Sequence, residues 1–233
     1  MNDPSFATLP RLKQDLVDAL SMMERAEVID FNGHMSCRVP GTDHILINSG
    51  KSVRSALTPG DVIEIDLDGK PIGTDVVPPM EFHLHSAIYR KRSDVNAVAH
   101  THPVWSTLFS MTGKAVQPVT MQAAVMGPVQ TFAKTASINE RGLGEELAEA
   151  LGPHRVCMLK SHGAVTTGAD IVEAFVLAIY LEETARRQYL ASAIGTPYAL
   201  TAAEVEKIGG NLRKPHLLRK VWDYHRAKLG RGR

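Results

Sequence analysis

Apolar positions recur along this chain with two periods. Leu12, Leu16, Leu20 and Met23, with Val17 and Ala19 beside them, return every three or four residues, so the spacing predicts an amphipathic helix over residues 10–26. Residues 35–39 and 44–47 are short apolar runs joined by Gly41-Thr42-Asp43, the pattern of a hairpin. Val62-Ile63-Glu64-Ile65-Asp66-Leu67 alternates as a strand does, and Asp68-Gly69 reads as a two-residue turn into residues 70–73. Pro78-Pro79 suits the entry of a helix with Leu84, Ala87 and Ile88 inward; Glu81 then falls in its first turn, on one face with His85. Residues 95–99 form an apolar strand that runs into His100-Thr101-His102-Pro103. Residues 104–111 then predict a helix and 116–121 a strand, while Ser137-Ile138-Asn139-Glu140 reads as a capping box for a helix that Gly152-Pro153 closes. Residues 156–160 make a second buried strand that delivers Ser161-His162-Gly163. Asp170 with Glu173 caps a long helix reaching about Ser192, its inner stripe being Ala174, Leu177, Ala178, Leu181 and Ala185.

Composition narrows the function classes. At 233 residues the chain is long enough to bury a full core, and one domain over residues 1–233 is expected. A hydrophobic share of 44% and a charged share of 22% are ordinary for a globular protein, and a formal charge of +1 supplies no global field for nucleic acid. The function must therefore be local. Cys37 and Cys157 each sit in an apolar segment and read as buried free thiols of a reducing compartment. Met1-Asn2-Asp3-Pro4-Ser5 has no basic region leading into an apolar stretch, and no run of about 18 apolar residues occurs, so a cytoplasmic protein without a membrane contact is expected. Residues 211–233 carry eight Lys or Arg against the acid Asp223, with Leu217, Leu218 and Val221 making the segment amphipathic. It reads as a cationic flap or subunit contact over an anionic site; no nucleic-acid module is recognisable.

The candidate chemistry begins at His100 and His102. Two residues apart in a strand share a face, with Cα atoms roughly 6.5 Å apart, so both imidazoles reach one ion. His162 ends the other apolar strand, and if the two strands lie in one sheet the three histidines converge. Catalytic zinc-type sites commonly use three protein ligands and keep one position open. Glu81 is then the neighbouring carboxylate able to carry protons, its bland alternative being a helix-dipole acid. Asn48-Ser49-Gly50-Lys51-Ser52 ends like a phosphate-binding P-loop, but Ile45 stands where that motif needs glycine. Ser49 and the Gly50 amide remain able to meet a small anion.

Taken in order, Gly33-His34-Met35-Ser36-x-Arg38, Ser49-Gly50, Asp66-Leu67-Asp68-Gly69, Glu81-x-x-x-His85-x-x-x-Tyr89, Asp94-Val95-x-Ala97-Val98-x-His100-Thr101-His102 and His162-Gly163 resemble the class II aldolase and adducin family over roughly residues 10–195. The resemblance implies a three-layer α/β/α sandwich around a largely antiparallel sheet. It implies His100, His102 and His162 as ligands of one divalent ion, Mn2+ or Zn2+, and Glu81 as the acid/base group. It also implies a homotetramer with active sites at subunit interfaces.

Departures from the sugar-phosphate aldolases refine this picture. Where those carry Pro-Ser-Ser-Glu, this chain has Pro78-Pro79-Met80-Glu81, which removes a hydroxyl, an N–H donor and a polar contact. Their usual Gly-Asn reads Gly33-His34, and their acidic tyrosine falls near Gln122. The chain thus resembles the family's non-oxidative decarboxylases of hydroxylated aromatic or pyridine carboxylates, including those of vitamin B6 degradation and of dihydroxyphthalates. On that likeness the substrate is a small anionic ring, its second carboxylate held by His34 and Ser49 with Gly50, and Met80 packs on the ring. The enzymatic alternative is a sugar or sugar-phosphate aldolase or epimerase, and the non-enzymatic one an adducin-like binding module.

Overall fold

Residues 8–230 are described in the structure, a computed structural model. The Met1–Ser5 segment read for targeting and the tail arginines Arg231 and Arg233 lie outside the described residues. The first apolar period becomes helix α1, Leu9–Arg25, which buries Leu16, Leu20 and Met23. The period-two runs become strands β1 (His34–Arg38), β2 (Ile45–Asn48), β3 (Val62–Ile65) and β4 (Pro71–Ile72). Strands β5 (Ala97–Thr101), β6 (Val129–Phe132), β7 (Val156–Leu159) and β8 (Gly163–Gly168) follow. They form one eight-stranded sheet in the order β4-β3-β2-β1-β5-β8-β7-β6. Neighbours are antiparallel except β6 and β7.

Alternation along each strand sorts side chains to opposite faces. Met35, Cys37, Ala97, Ala99 and Met158 join α1 and the long helix α6 (Ile171–Ser192) in one apolar layer. Ile45, Ile47, Val98, Cys157 and Val165 join Leu84 and Ile88 of α2 (Phe82–Lys91) and Leu147 and Leu151 of α5 (Arg141–Leu151) in the other. The result is the expected three-layer α/β/α sandwich around a mostly antiparallel sheet. Helices α3 (Val104–Thr112), α4 (Ala123–Met126), α7 (Ala202–Leu212) and α8 (Pro215–Leu229) complete it. Helix α3 starts directly after His102-Pro103, and its first amides are met by a buried carboxylate on α6: Trp105 N and Ser106 N donate to Glu182 across 2.7 and 2.9 Å. Among the described residues no helix is long and apolar enough to cross a membrane. Both cysteines are buried and free, and burial pushes the Cys157 thiol up to about 12.

Four local expectations are corrected. The Asp68-Gly69 turn spans Asp66 to Gly69 instead, because Asp66 Oδ1 accepts from the Asp68 and Lys70 amides, each at 2.9 Å, and Gly69 takes a left-handed φ of 86°. Residues 116–121 form no strand: Pro118 has no donor, the Gln117 amide donates to Gln188 on α6 at 2.8 Å, and the Pro118 carbonyl accepts from Leu200 at 2.9 Å. The capping box at Ser137 is not made, since Glu140 occupies the cap position of α5 and the Ser137 hydroxyl is engaged elsewhere. The basic tail is no flap within this chain. Trp222 of α8 is fully buried edge-on to Phe175, centroids 5.4 Å apart, and Arg226 pairs with Asp18 of α1 at 3.0 Å.

Candidate metal centre

Register places the first two histidines. β5 pairs with β1 so that His100 lies opposite His34, both on the face that carries Val98. His102 follows one step beyond the strand, its amide bonded to the Val28 carbonyl at 3.2 Å. His162 sits in the tight turn from β7 to β8, where Ser161 takes a left-handed φ of 55°. Gly163 lets that turn close on β5, because a Cβ there would run into the Thr101 carbonyl. The two strands that lead into the histidines, β5 and β7, thus lie in one sheet with β8 between them, as the converging reading required.

Backbone acceptors choose which nitrogen of each ring faces inward. A carbonyl only accepts, so His100 Nδ1, 3.2 Å from Ala164 O, and His162 Nδ1, 3.0 Å from Ala136 O, carry the protons. Their Nε2 lone pairs are left for the centre. His102 Nδ1 faces Asp30 Oδ1 at 3.6 Å, and its Nε2 lies 3.0 Å from His100 Nε2. Two lone pairs at that distance repel unless a cation lies between them; two nitrogens about 2.1 Å from a tetrahedral ion stand roughly 3.4 Å apart. Glu81 Oε2 is 3.4 Å from His100 Nε2 and Oε1 is 3.7 Å from His162 Nε2. Ligand atoms of Glu81, His100, His102 and His162 all lie within 4.8 Å of one another.

The electrostatics agree with that donor set. Burial holds His100 and His102 down to about 4, so both are neutral imidazoles near pH 7. Burial works to raise the Glu81 carboxyl, but the facing histidines His100 and His34 and the Ile138 amide outweigh it and hold the group below the usual carboxylate range. Three imidazoles and one carboxylate suit a divalent transition ion.

Glu81 itself is not in the first turn of α2 but just before it, at the cap position. Its Oε1 accepts from the Ser137 hydroxyl at 2.9 Å and the Ile138 amide at 2.8 Å, two partners that no local pattern announces. Buried Arg54, also unforeseen, donates Nε to the Gly33 carbonyl at 2.6 Å and so pins the residue before His34. His34 is buried, with Nε2 3.9 Å from Glu81 Oε2. The anion loop reads differently from expectation: the Gly50 amide donates to Val77 O at 3.2 Å and the Ser49 amide to Asp61 O at 2.8 Å, so neither is free. Met80 points to solvent at 72% exposure.

Comparison with known proteins decides the family. The sequence matches the Class II Aldolase and Adducin N-terminal domain over residues 14–189. The chain belongs to the class II aldolase and adducin family. Within it, the chain is 32% identical to the L-fuculose phosphate aldolase of Methanocaldococcus jannaschii over 174 residues, 75% of this chain and 93% of that one. It is also 32% identical to the decarboxylase NovR of Streptomyces niveus over 183 residues, 76% of this chain and 67% of that one. Among solved structures, the L-fuculose 1-phosphate aldolase from Glaciozyma antarctica PI12 superposes with a TM-score of 0.85 at 25% identity, covering 98% of this chain and 93% of that one. As a class II aldolase family lyase, the chain gathers Glu81 and three histidines in one cluster.

Proposed function

We propose that the cluster holds one divalent ion, Mn2+ or Zn2+, and that the chain is a carbon–carbon lyase releasing an aldehyde from a small hydroxylated carbonyl compound of the sugar-phosphate class. The observation that carries this is the convergence of the Glu81, His100, His102 and His162 ligand atoms within 4.8 Å, in a chain similar to L-fuculose phosphate aldolases. An ion at that position supplies Lewis acidity beside the breaking bond. Glu81 Oε2 takes the proton of the substrate hydroxyl as the C–C bond breaks. The hydroxyl carbon leaves as the aldehyde, and the bond's electron pair passes into the adjoining carbonyl. Glu81 then returns the proton to carbon. Ser137 and Ile138 hold Oε1 throughout, which leaves Oε2 turned to the reacting atoms.

A second reading, decarboxylation of a hydroxylated aromatic or pyridine carboxylate, is favoured by the loss of anion donors. The Gly50 and Ser49 amides are already bonded and Pro79 has no N–H, so few donors remain for a dianionic phosphate, whereas a carboxylate needs fewer. On this reading His34 and the Ser49 hydroxyl hold a second carboxylate, and carbon dioxide leaves in place of the aldehyde. Similarity to NovR is consistent with it. Incubating the metal-loaded protein with a panel of sugar phosphates and hydroxyaromatic dicarboxylates separates the two. Aldehyde without carbon dioxide supports the aldolase; carbon dioxide without aldehyde supports the decarboxylase. A purified chain with no affinity for any divalent ion overturns both and leaves the adducin-like binding module. We also propose one domain over residues 1–233, a cytoplasmic location and a homotetramer with its sites at subunit interfaces. Exposed Val104, Met111 and Met121 support the assembly, and its mass in solution tests it.

A further inference from the structure

A second buried polar chain runs from the centre into the α2 layer. His34 Nδ1 lies 2.7 Å from His85 Nε2; His85 Nδ1 lies 2.7 Å from Ser36 Oγ; Ser36 Oγ lies 2.8 Å from Tyr89 Oη. His34, Ser36, His85 and Tyr89 are all buried, with His85 and Ser36 at 0% exposure. The elements explain the alignment. His34 and Ser36 are two apart on β1 and share a face, while His85 and Tyr89 are four apart on α2 and share the facing side.

The proton order along this chain is set at its far end. The Tyr89 hydroxyl is buried against Ser36 Oγ, its side-chain hydrogen-bond partner, so its proton points there. Ser36 Oγ accepts from Tyr89 and donates to His85 Nδ1, and His85 Nε2–H then donates to His34 Nδ1. That leaves the neutral His34 ring its proton on Nε2, the nitrogen turned toward Glu81 Oε2 at 3.9 Å. Every proton points toward the centre. Reversing the order would turn the Tyr89 proton away from Ser36.

We propose that His85, Ser36 and Tyr89 are positioning residues that lock His34 as a neutral donor, its Nε2–H aimed at the centre to bind a substrate oxygen. It rests on the reading that the histidine cluster is the reaction centre, but not on which bond the enzyme cleaves. A fixed N–H donor of this kind recognises an oxygen acceptor, carboxylate or hydroxyl, and opposes a cationic group. The chain also explains why two further histidines stand beside three that converge on a cation: they are neutral and spoken for by each other.

The test is 15N-histidine NMR on the metal-free full chain at pH 7, with signals assigned through His34→Asn and His85→Gln. The expected spectrum shows His34 protonated on Nε2 and bare on Nδ1. In His85→Leu, His34 loses its donor and is expected to populate both tautomers, whereas His85→Gln keeps an amide donor and restores the single form. Zinc content stays at the wild-type level in both. A wild-type His34 that is protonated on Nδ1 or doubly protonated would overturn the proposal, as would a His85→Leu spectrum identical to wild type. If His85→Leu does not fold, the wild-type spectrum decides alone. None of these readouts depends on substrate turnover, so failure of the aldolase and decarboxylase assays leaves this result standing.

Discussion

The Ser137 hydroxyl donates to Glu81 Oε1 across 2.9 Å, joining the approach to α5 with the start of α2 beside the three-histidine cluster. The bond leaves Oε2 facing His100 and His34. Removing the carboxylate charge with Glu81→Gln is expected to keep the metal and lower turnover by about 100-fold, the usual scale for an acid/base group. Ser137→Ala removes one support of two and is expected to cost about 10-fold, about 1.4 kcal/mol, since the Ile138 amide remains. Steady-state rates of both variants, with metal content measured alongside, check this; equal rates for Glu81→Gln and wild type would move the proton role elsewhere.

His162→Ala is expected to lose bound metal and activity while the far-ultraviolet dichroism stays near wild type, because the side chain leaves a turn at the sheet's edge of the site and not a packed core. Elemental analysis after purification in zinc reads the outcome. Stoichiometric zinc in the variant would remove His162 from the ligand set.

Acid sensitivity follows from the buried histidines. His100 and His102 titrate at about 4 in the fold, against an ordinary value of 6.5. Between those values the unfolded chain binds protons that the folded chain refuses, so the metal-free protein loses stability as pH falls from about 6.5 toward 4 and holds it above 6.5. The urea midpoint of the metal-free protein is expected to be lower at pH 5 than at pH 7.5, and the gap to narrow in His102→Gln. Identical gaps in the two proteins would contradict the assignment.

Glu182→Ala uncaps α3, the helix that starts just after His102. It leaves the Trp105 and Ser106 amides without their acceptor, at an expected cost of about 2–3 kcal/mol, whereas Glu182→Gln keeps an acceptor and costs less. Denaturant unfolding of the two variants measures the difference.

Much of the site was legible because strand ends and histidines coincide in the chain. The apolar runs before His100 and His162 marked buried strands, and period-two spacing put His100 and His102 on one face. Their convergence depended on β5 and β8 being neighbours, which the topology supplies. Local patterns failed where a distant partner outcompeted a near one. Ser137 and Glu140 have the spacing of a capping box, but the Ser137 hydroxyl donates to the Glu81 carboxylate, a charge-assisted bond, and α5 starts after Glu140 instead. The Gly50 amide looked free for an anion until the Val77 carbonyl came beside it. Residues 116–121 had strand-like composition, and Gln188 on α6 took the Gln117 donor instead.

The sequence by itself determined most element types and the identity of the four groups that meet at the centre, because apolar period and residue chemistry are local properties; the three-layer class came with the family resemblance. Tertiary structure alone decided which nitrogen of each histidine faces inward, which oxygen of Glu81 stays free, and that His34 and His85 pair with each other. Those choices depend on hydrogen-bond partners such as Ala136 O, Ala164 O and Ser36 Oγ, tens of residues away in the chain and brought within about 3 Å only by folding.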